Sequence, residues 1–124
     1  GGAISINGIS SSIISNCTFT NNYSQGSGGA IYIHSDADDV IVEDCIFDNN
    51  YASQHGGAIW AAYASGVNYK VTRTIFIGNA SETGAVWNTW PYNAAGSAEF
   101  INCIFYKNQS LCFSKNFELI IEFG

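Results

Sequence analysis

GGAIYIHSDADDVIVEDCIFDNN, from Gly28 to Asn50, follows the same order as GGAISINGISSSIISNCTFTNN, from Gly1 to Asn22. In both, two glycines and an alanine lead into isoleucines. A polar break, an apolar stretch, a cysteine, a phenylalanine and an asparagine follow. The glycine-alanine signature begins at Gly1, Gly28 and Gly56, with a weaker copy at Thr83-Gly84-Ala85, in steps of 27, 28 and 27 residues. The motif Phe-x-x-Asn recurs at Phe19/Asn22, Phe47/Asn50, Phe76/Asn79 and Phe105/Asn108, in steps of 28, 29 and 29. Two independent signatures that keep one period four times mark an internal repeat.

Each unit reads as strands rather than helices. No apolar stripe of helical period and length occurs, and Gly, Asn, Ser and β-branched residues are abundant. The apolar segments are short and alternate with period two, as in AIYI and VIVEDCIF, between turn-formers such as HSDADD, YASQH and NGISSS. Three brief strands per unit are expected. They are Gly-Ala-Ile-x-Ile, the stretch before the cysteine, and Cys-x-Phe after a bend at Asn16, Asp44, Arg73 or Asn102. Strands repeated at fixed period wind into a right-handed, single-stranded parallel β-helix, each coil resting on the last at the ~4.8 Å strand spacing. The coils run over residues 1–27, 28–55, 56–83 and 84–109. A partial fifth spans 110–124, with Ser110–Phe113 as a shortened first strand and Phe117–Phe123 as the start of that coil.

Stacked coils bring equivalent residues into columns. The first strand places Ile4, Ile31, Ile59 and Val86 inside, and the second Ile14, Val42, Val71 and Phe100. The third adds Cys17, Cys45, Thr74 and Cys103, then Phe19, Phe47, Phe76 and Phe105. Asn22, Asn50, Asn79 and Asn108 are expected at a corner, where Asn accepts left-handed backbone geometry and stacked amides bond between coils. The paired glycines suit a tight corner of positive φ.

Composition narrows the partners. The 124 residues suffice for one domain, and 47% are apolar. Only 11% are charged, against about a quarter in an ordinary globular chain. With four Lys and Arg and a net charge of −6, the chain has no basic stripe for nucleic acid or an anionic membrane surface. No apolar run approaches the ~20 residues of a spanning helix. The chain opens inside a repeat unit, without a start methionine or signal-peptide pattern, and reads as a piece of a longer protein flanked by further coils.

Gly-Gly-Ala-Ile at Gly1–Ile4, Gly28–Ile31 and Gly56–Ile59, joined to the four Phe-x-x-Asn motifs, resembles the repeat of the chlamydial polymorphic outer membrane proteins. Similar repeats occur in large surface proteins of some protists and in the broader right-handed β-helix, pectin-lyase-like superfamily. The resemblance covers all but roughly the last fifteen residues. It implies a cell-surface or extracellular location (the outer membrane if the source is bacterial) and a non-catalytic, adhesin-like role toward a host-cell receptor or glycan. The alternatives are a fragment of a polysaccharide-degrading enzyme and a purely structural stalk.

Few residues are placed for catalysis. Asp36, Asp38, Asp39, Glu43, Asp44 and Asp48 hold six of the ten acids. Calcium needs six to eight converging oxygens and glycoside cleavage two facing carboxylates. Glu43 points outward beside Ser15, Thr72 and Ile101, and Asp44 beside Asn16, Arg73 and Asn102, so no second acidic column forms. A solvated acidic turn with an Asp44–Arg73 surface pair is expected, with a calcium site at Asp36, Asp38 and Asp39 as the alternative. No cofactor is implied. The four cysteines lack a C-x-x-C motif. Cys17, Cys45 and Cys103 read as inward small hydrophobes, with a Cys17–Cys45 disulfide as the alternative. His34 and His55 lie in turns on different corners. The candidate binding feature is an outward aromatic column of Tyr32, Trp60 and Trp87, extended by Trp90 and Tyr92 in the following loop. Its alternative is rings that merely stack on one another. Sequons at Asn16, Asn22, Asn79 and Asn108 matter only in a eukaryotic secretory route.

Overall fold

The computed structural model describes residues 1–8, 11–37, 39–62, 68–90 and 97–110, and of residues 88–90 and 97 it describes the backbone alone. The partial fifth coil beyond Ser110 lies outside these residues. The fold is a right-handed parallel β-helix, with sixteen short strands in four parallel sheets among the described residues. Sheet A stacks β1 (Ile4–Ile6), β5 (Ile31–Ile33), β9 (Ile59–Ala62) and β13 (Trp87–Trp90). Sheet B stacks β2 (Ser12–Ser15), β6 (Val40–Glu43), β10 (Asn68–Thr72) and β14 (Ser97–Ile101). Sheet C stacks β3 (Thr18–Thr20), β7 (Ile46–Asp48), β11 (Ile75–Ile77) and β15 (Ile104–Tyr106). Sheet D stacks β4 (Tyr23–Ser24), β8 (Tyr51–His55), β12 (Ala80–Thr83) and β16 (Gln109–Ser110).

Each coil thus contains four strands, not three. The residues after each Phe-x-x-Asn, read as turn from YASQH, form sheet D. They are short and rich in small polar side chains, so period-two alternation hardly shows. What makes them strands is the neighbouring coil, whose backbone groups are in reach. Tyr51 N–H donates to Asn22 C=O at 2.9 Å, and Ala80 N–H to Asn50 C=O at 2.9 Å.

Three corners turn on left-handed residues. The first carries Asn16, Asp44, Arg73 and Asn102, with φ from 47° to 55°. The second carries Asn21, Asn49, Gly78 and Lys107 (φ 52–61°). The left-handed residue there is the one before the motif asparagine, not the asparagine itself. The motif asparagine points inward and forms a ladder. Asn50 Nδ2 donates to Asn79 Oδ1 and to Phe19 C=O, both at 2.9 Å, and Asn50 N–H donates to Asn79 Oδ1 at 3.0 Å. Asn79 repeats these bonds toward Asn108 Oδ1 and Phe47 C=O, and Asn22 joins below through Asn50 Oδ1. Asn50 and Asn79 are fully buried, and the amides satisfy backbone groups that the corner would otherwise leave unpaired.

The phenylalanines stack as expected. Phe19–Phe47, Phe47–Phe76 and Phe76–Phe105 have ring centroids 4.7, 4.9 and 5.2 Å apart and planes within 12°. Burying each ring contributes about 1.5–3 kcal/mol from apolar transfer. The columns Ile14, Val42, Val71 and Phe100, and Ile4, Ile31 and Ile59, are in register.

The fourth rung of sheet A departs from expectation. Ile59 pairs with Trp87, not Val86. The register shifts between Ser81 and Thr83: Ser81 lies beside Ala52 but Thr83 beside His55. The cause is the third corner, where Gly28, Gly56 and Gly84 hold φ of 70°, 64° and 70°. A Cβ on Gly56 would lie 2.2 Å from Ile59 O, so the place admits only glycine. Thr83, matched to Gly56 by the motif, is β-branched and unsuited to positive φ. Gly84 takes the place instead, and everything after it moves by one.

Candidate functional site

The outward face of sheet A was the expected site. Its column is Ser5, Tyr32 and Trp60, with the backbone of Asn88 next in register. Tyr32 and Trp60 stack with centroids 4.5 Å apart and planes 28° apart, and His34 leans on Tyr32 at 4.5 Å. His34 Nε2 meets Ser5 Oγ at 3.2 Å. Trp87 does not belong to this face. The one-residue shift turns it inward, 1% exposed, against Tyr69 and edge-on to Phe100. Trp60 keeps its outward register but is only 9% exposed. Among the described residues neither indole N–H has a hydrogen-bond partner. Trp90 pairs in register with Ala62, and Tyr92 lies outside the described residues.

Ladder geometry also limits what these rings can offer. Rings on successive coils stack face to face along the helix axis, so solvent meets their edges. The same holds for Tyr23 and Tyr51 on sheet D, 5.7 Å apart and 9° from parallel. A sugar needs a free ring face, which the interior of such a stack lacks.

A surface missed in the sequence lies on sheet C. Its outward columns are Thr18, Ile46, Ile75 and Ile104, and Thr20, Asp48, Ile77 and Tyr106. Ile46, Ile104 and Tyr106 are exposed, at 38%, 54% and 55%. Ile75 and Ile77 are half-buried between them. The signal was the residue between Cys or Thr and Phe, which is isoleucine in CIF, TIF and CIF. With cysteine and phenylalanine both inward, alternation sends this isoleucine out. Scattered exposed isoleucines need no explanation, but a contiguous column across three coils does.

The acids are otherwise engaged. Arg73 donates to both Asp44 carboxylate oxygens, at 2.8 and 2.7 Å, and to Glu43 at 3.2 Å. The guanidinium hydrogen bond holds the Asp44 carboxyl below its ordinary range. Asp39 Oδ1 accepts a bond from Asn68 N–H at 2.9 Å, tying one coil to the next. Asp36 is exposed, and Asp38 lies outside the described residues. Among the described residues no three His, Cys, Asp or Glu side chains gather closely enough to hold a metal ion. His55 Nδ1 bonds Thr83 Oγ1 at the end of sheet D. Tyr69 points inward and donates to Ala62 C=O at 3.0 Å, and its burial pushes the phenol up to about 12.

The cysteines occupy one inward rung with Thr74. Cys17, Cys45 and Cys103 are free thiols. Burial pushes the Cys45 and Cys103 thiols up.

The Chlamydia polymorphic membrane protein (Chlamydia_PMP) repeat matches residues 16–34 and 44–62. Both matched segments have the same phase in the coil. Each begins at the left-handed corner before a rung cysteine, runs through sheets C and D and the glycine corner, and ends on or just beyond a sheet A strand. No curated protein and no solved structure matches the chain. Residues 16–34 and 44–62 are therefore similar to the Chlamydia polymorphic membrane protein repeat, in a chain wound as a parallel β-solenoid.

Proposed function

We propose that this chain is a non-catalytic segment of a surface-associated β-helical protein, acting in adhesion by presenting sheet C to a protein receptor. The repeat type supports the surface location, the outer membrane in a bacterial source. The observation that carries the binding role is the exposed column of Ile46, Ile75 and Ile104, flanked by Ile77 and Tyr106. Aliphatic side chains on a flat, stiff sheet lose little entropy on contact and bury apolar area. A protein surface suits them. A glycan would want free ring faces, which stacked Tyr32 and Trp60 do not give. The enzyme reading has little support, since Glu43 and Asp44 share Arg73 rather than facing each other across a cleft.

The test is binding of the folded chain to host cells and to a glycan array, with Ile46→Asp/Ile104→Asp compared with Tyr32→Ser. Loss of cell binding by tenfold or more in the isoleucine variant alone, with its circular dichroism unchanged, supports the proposal. Loss in Tyr32→Ser alone, or glycan binding that survives the isoleucine changes, returns the site to sheet A. Binding unaffected by either variant leaves the stalk reading.

A further inference from the structure

We propose that Cys17 and Cys45 are a redox pair, which a disulfide oxidant closes into a bond stapling the first coil to the second. The two residues occupy the same rung of adjacent coils, and Ile46 N–H donates to Cys17 C=O at 2.9 Å. In-register neighbours on stacked coils have Cα atoms ~4.8 Å apart, inside the ~4.4–6.8 Å range that a disulfide spans. Cys45 Sγ leans toward the lower coil. It lies 3.2 Å from Glu43 O on its own coil and 3.6 Å from Ile14 O on the coil of Cys17. Among the described residues Cys103 has no such neighbour, because Thr74 stands on the rung between it and Cys45.

Access sets the order of events. Cys17 is half-buried while Cys45 is 1% exposed. The Cys17 thiolate attacks a small-molecule or protein disulfide, giving a mixed disulfide and releasing one thiol. The Cys45 thiolate then attacks Cys17 Sγ and expels the second thiol. Two protein thiols are oxidised and one external disulfide is reduced to two thiols, with no further reactant.

The test treats the folded full chain with excess glutathione disulfide, alkylates the remaining thiols, and cleaves after glutamate without reductant. A cut after Glu43 puts Cys17 and Cys45 on separate peptides. The expected result is one linked species containing both, separated by reductant, while Cys103 is alkylated. In Cys45→Ser, Cys17 should instead keep a glutathione adduct. That variant should fold, since Thr74 already places a hydroxyl on this rung, bonded to Thr72 C=O. Alkylation of both Cys17 and Cys45, a stable adduct on Cys17 in the unsubstituted chain, or linkage of Cys17 to any other cysteine would overturn the proposal.

Discussion

The Phe-Asn corner and the glycine corner are built from equally clear motifs, yet only the first keeps its register through all four coils. At the Phe-Asn corner, side chains touch side chains. Each asparagine amide bonds the next amide and a backbone carbonyl on the coil below, so a slip of one residue would break several buried bonds together. At the glycine corner the requirement is a backbone conformation. Any glycine in reach can meet it, and Gly84 does so one residue later than the motif suggests. A ladder of specific bonds locks register, whereas a conformational demand only locates a turn. The slip then decides which of two adjacent residues continues the inward Ile59 column, and so removes Trp87 from the outward column of Tyr32 and Trp60.

The sharpest break of this contrast is Asn79→Ala. It strips partners from Asn50 N–H and Phe47 C=O, and buried groups left unsatisfied cost about 1–3 kcal/mol each. A loss of about 2–6 kcal/mol in urea unfolding is expected. A loss under about 1 kcal/mol would mean that the amide ladder does not hold the corner.

Trp87→Ala tests the slip directly. In the inward column the change should cost about 3–5 kcal/mol. On the motif alignment the ring would lie in the outward column beside Trp60, away from Tyr69 and Phe100, and the cost would be smaller. The same measurement therefore discriminates between the two registers.

Gly84→Ala sharpens it further. Left-handed geometry costs a residue bearing Cβ roughly 1–2 kcal/mol, so the unfolding midpoint should fall, while Thr83→Gly should change little. The reverse pattern would restore Thr83 to the first-glycine place.

The smallest effect lies at the exposed corner. In Arg73→Ala the Asp44 carboxyl should rise to the usual ~3.9, followed by NMR titration. With Arg73 present, the lowered value favours the fold above the ordinary carboxylate range, and this is lost as pH falls through the lowered value. Both groups are exposed, so no measurable change in unfolding midpoint is expected near neutral pH. A clear drop there would show the pair to be structural.

Much of this was legible in the chain. The period, the Phe and Cys/Thr columns, the bend at Asn16, Asp44, Arg73 and Asn102, and the Arg73–Asp44 pair all follow from repeated spacing and alternation. The candidate surface was legible in part. Ile46, Ile75 and Ile104 sit where alternation points outward, but aromatic residues drew the reading to sheet A. Nothing local marks YASQH as a strand, because its pairing partners are 28 or 29 residues away.

The sequence alone determined that this protein coils, at what period, and which residues recur in columns, because like side chains must stack when equal segments wind on one axis. Only the tertiary structure decided that sheet D exists, that Trp87 faces in, and that Ile46 and Ile104 rather than Trp60 and Trp87 meet solvent. Those outcomes depend on which backbone groups the adjacent coil leaves to be paired and on which residue can hold a positive φ. Both are properties of neighbouring coils in contact rather than of any one repeat.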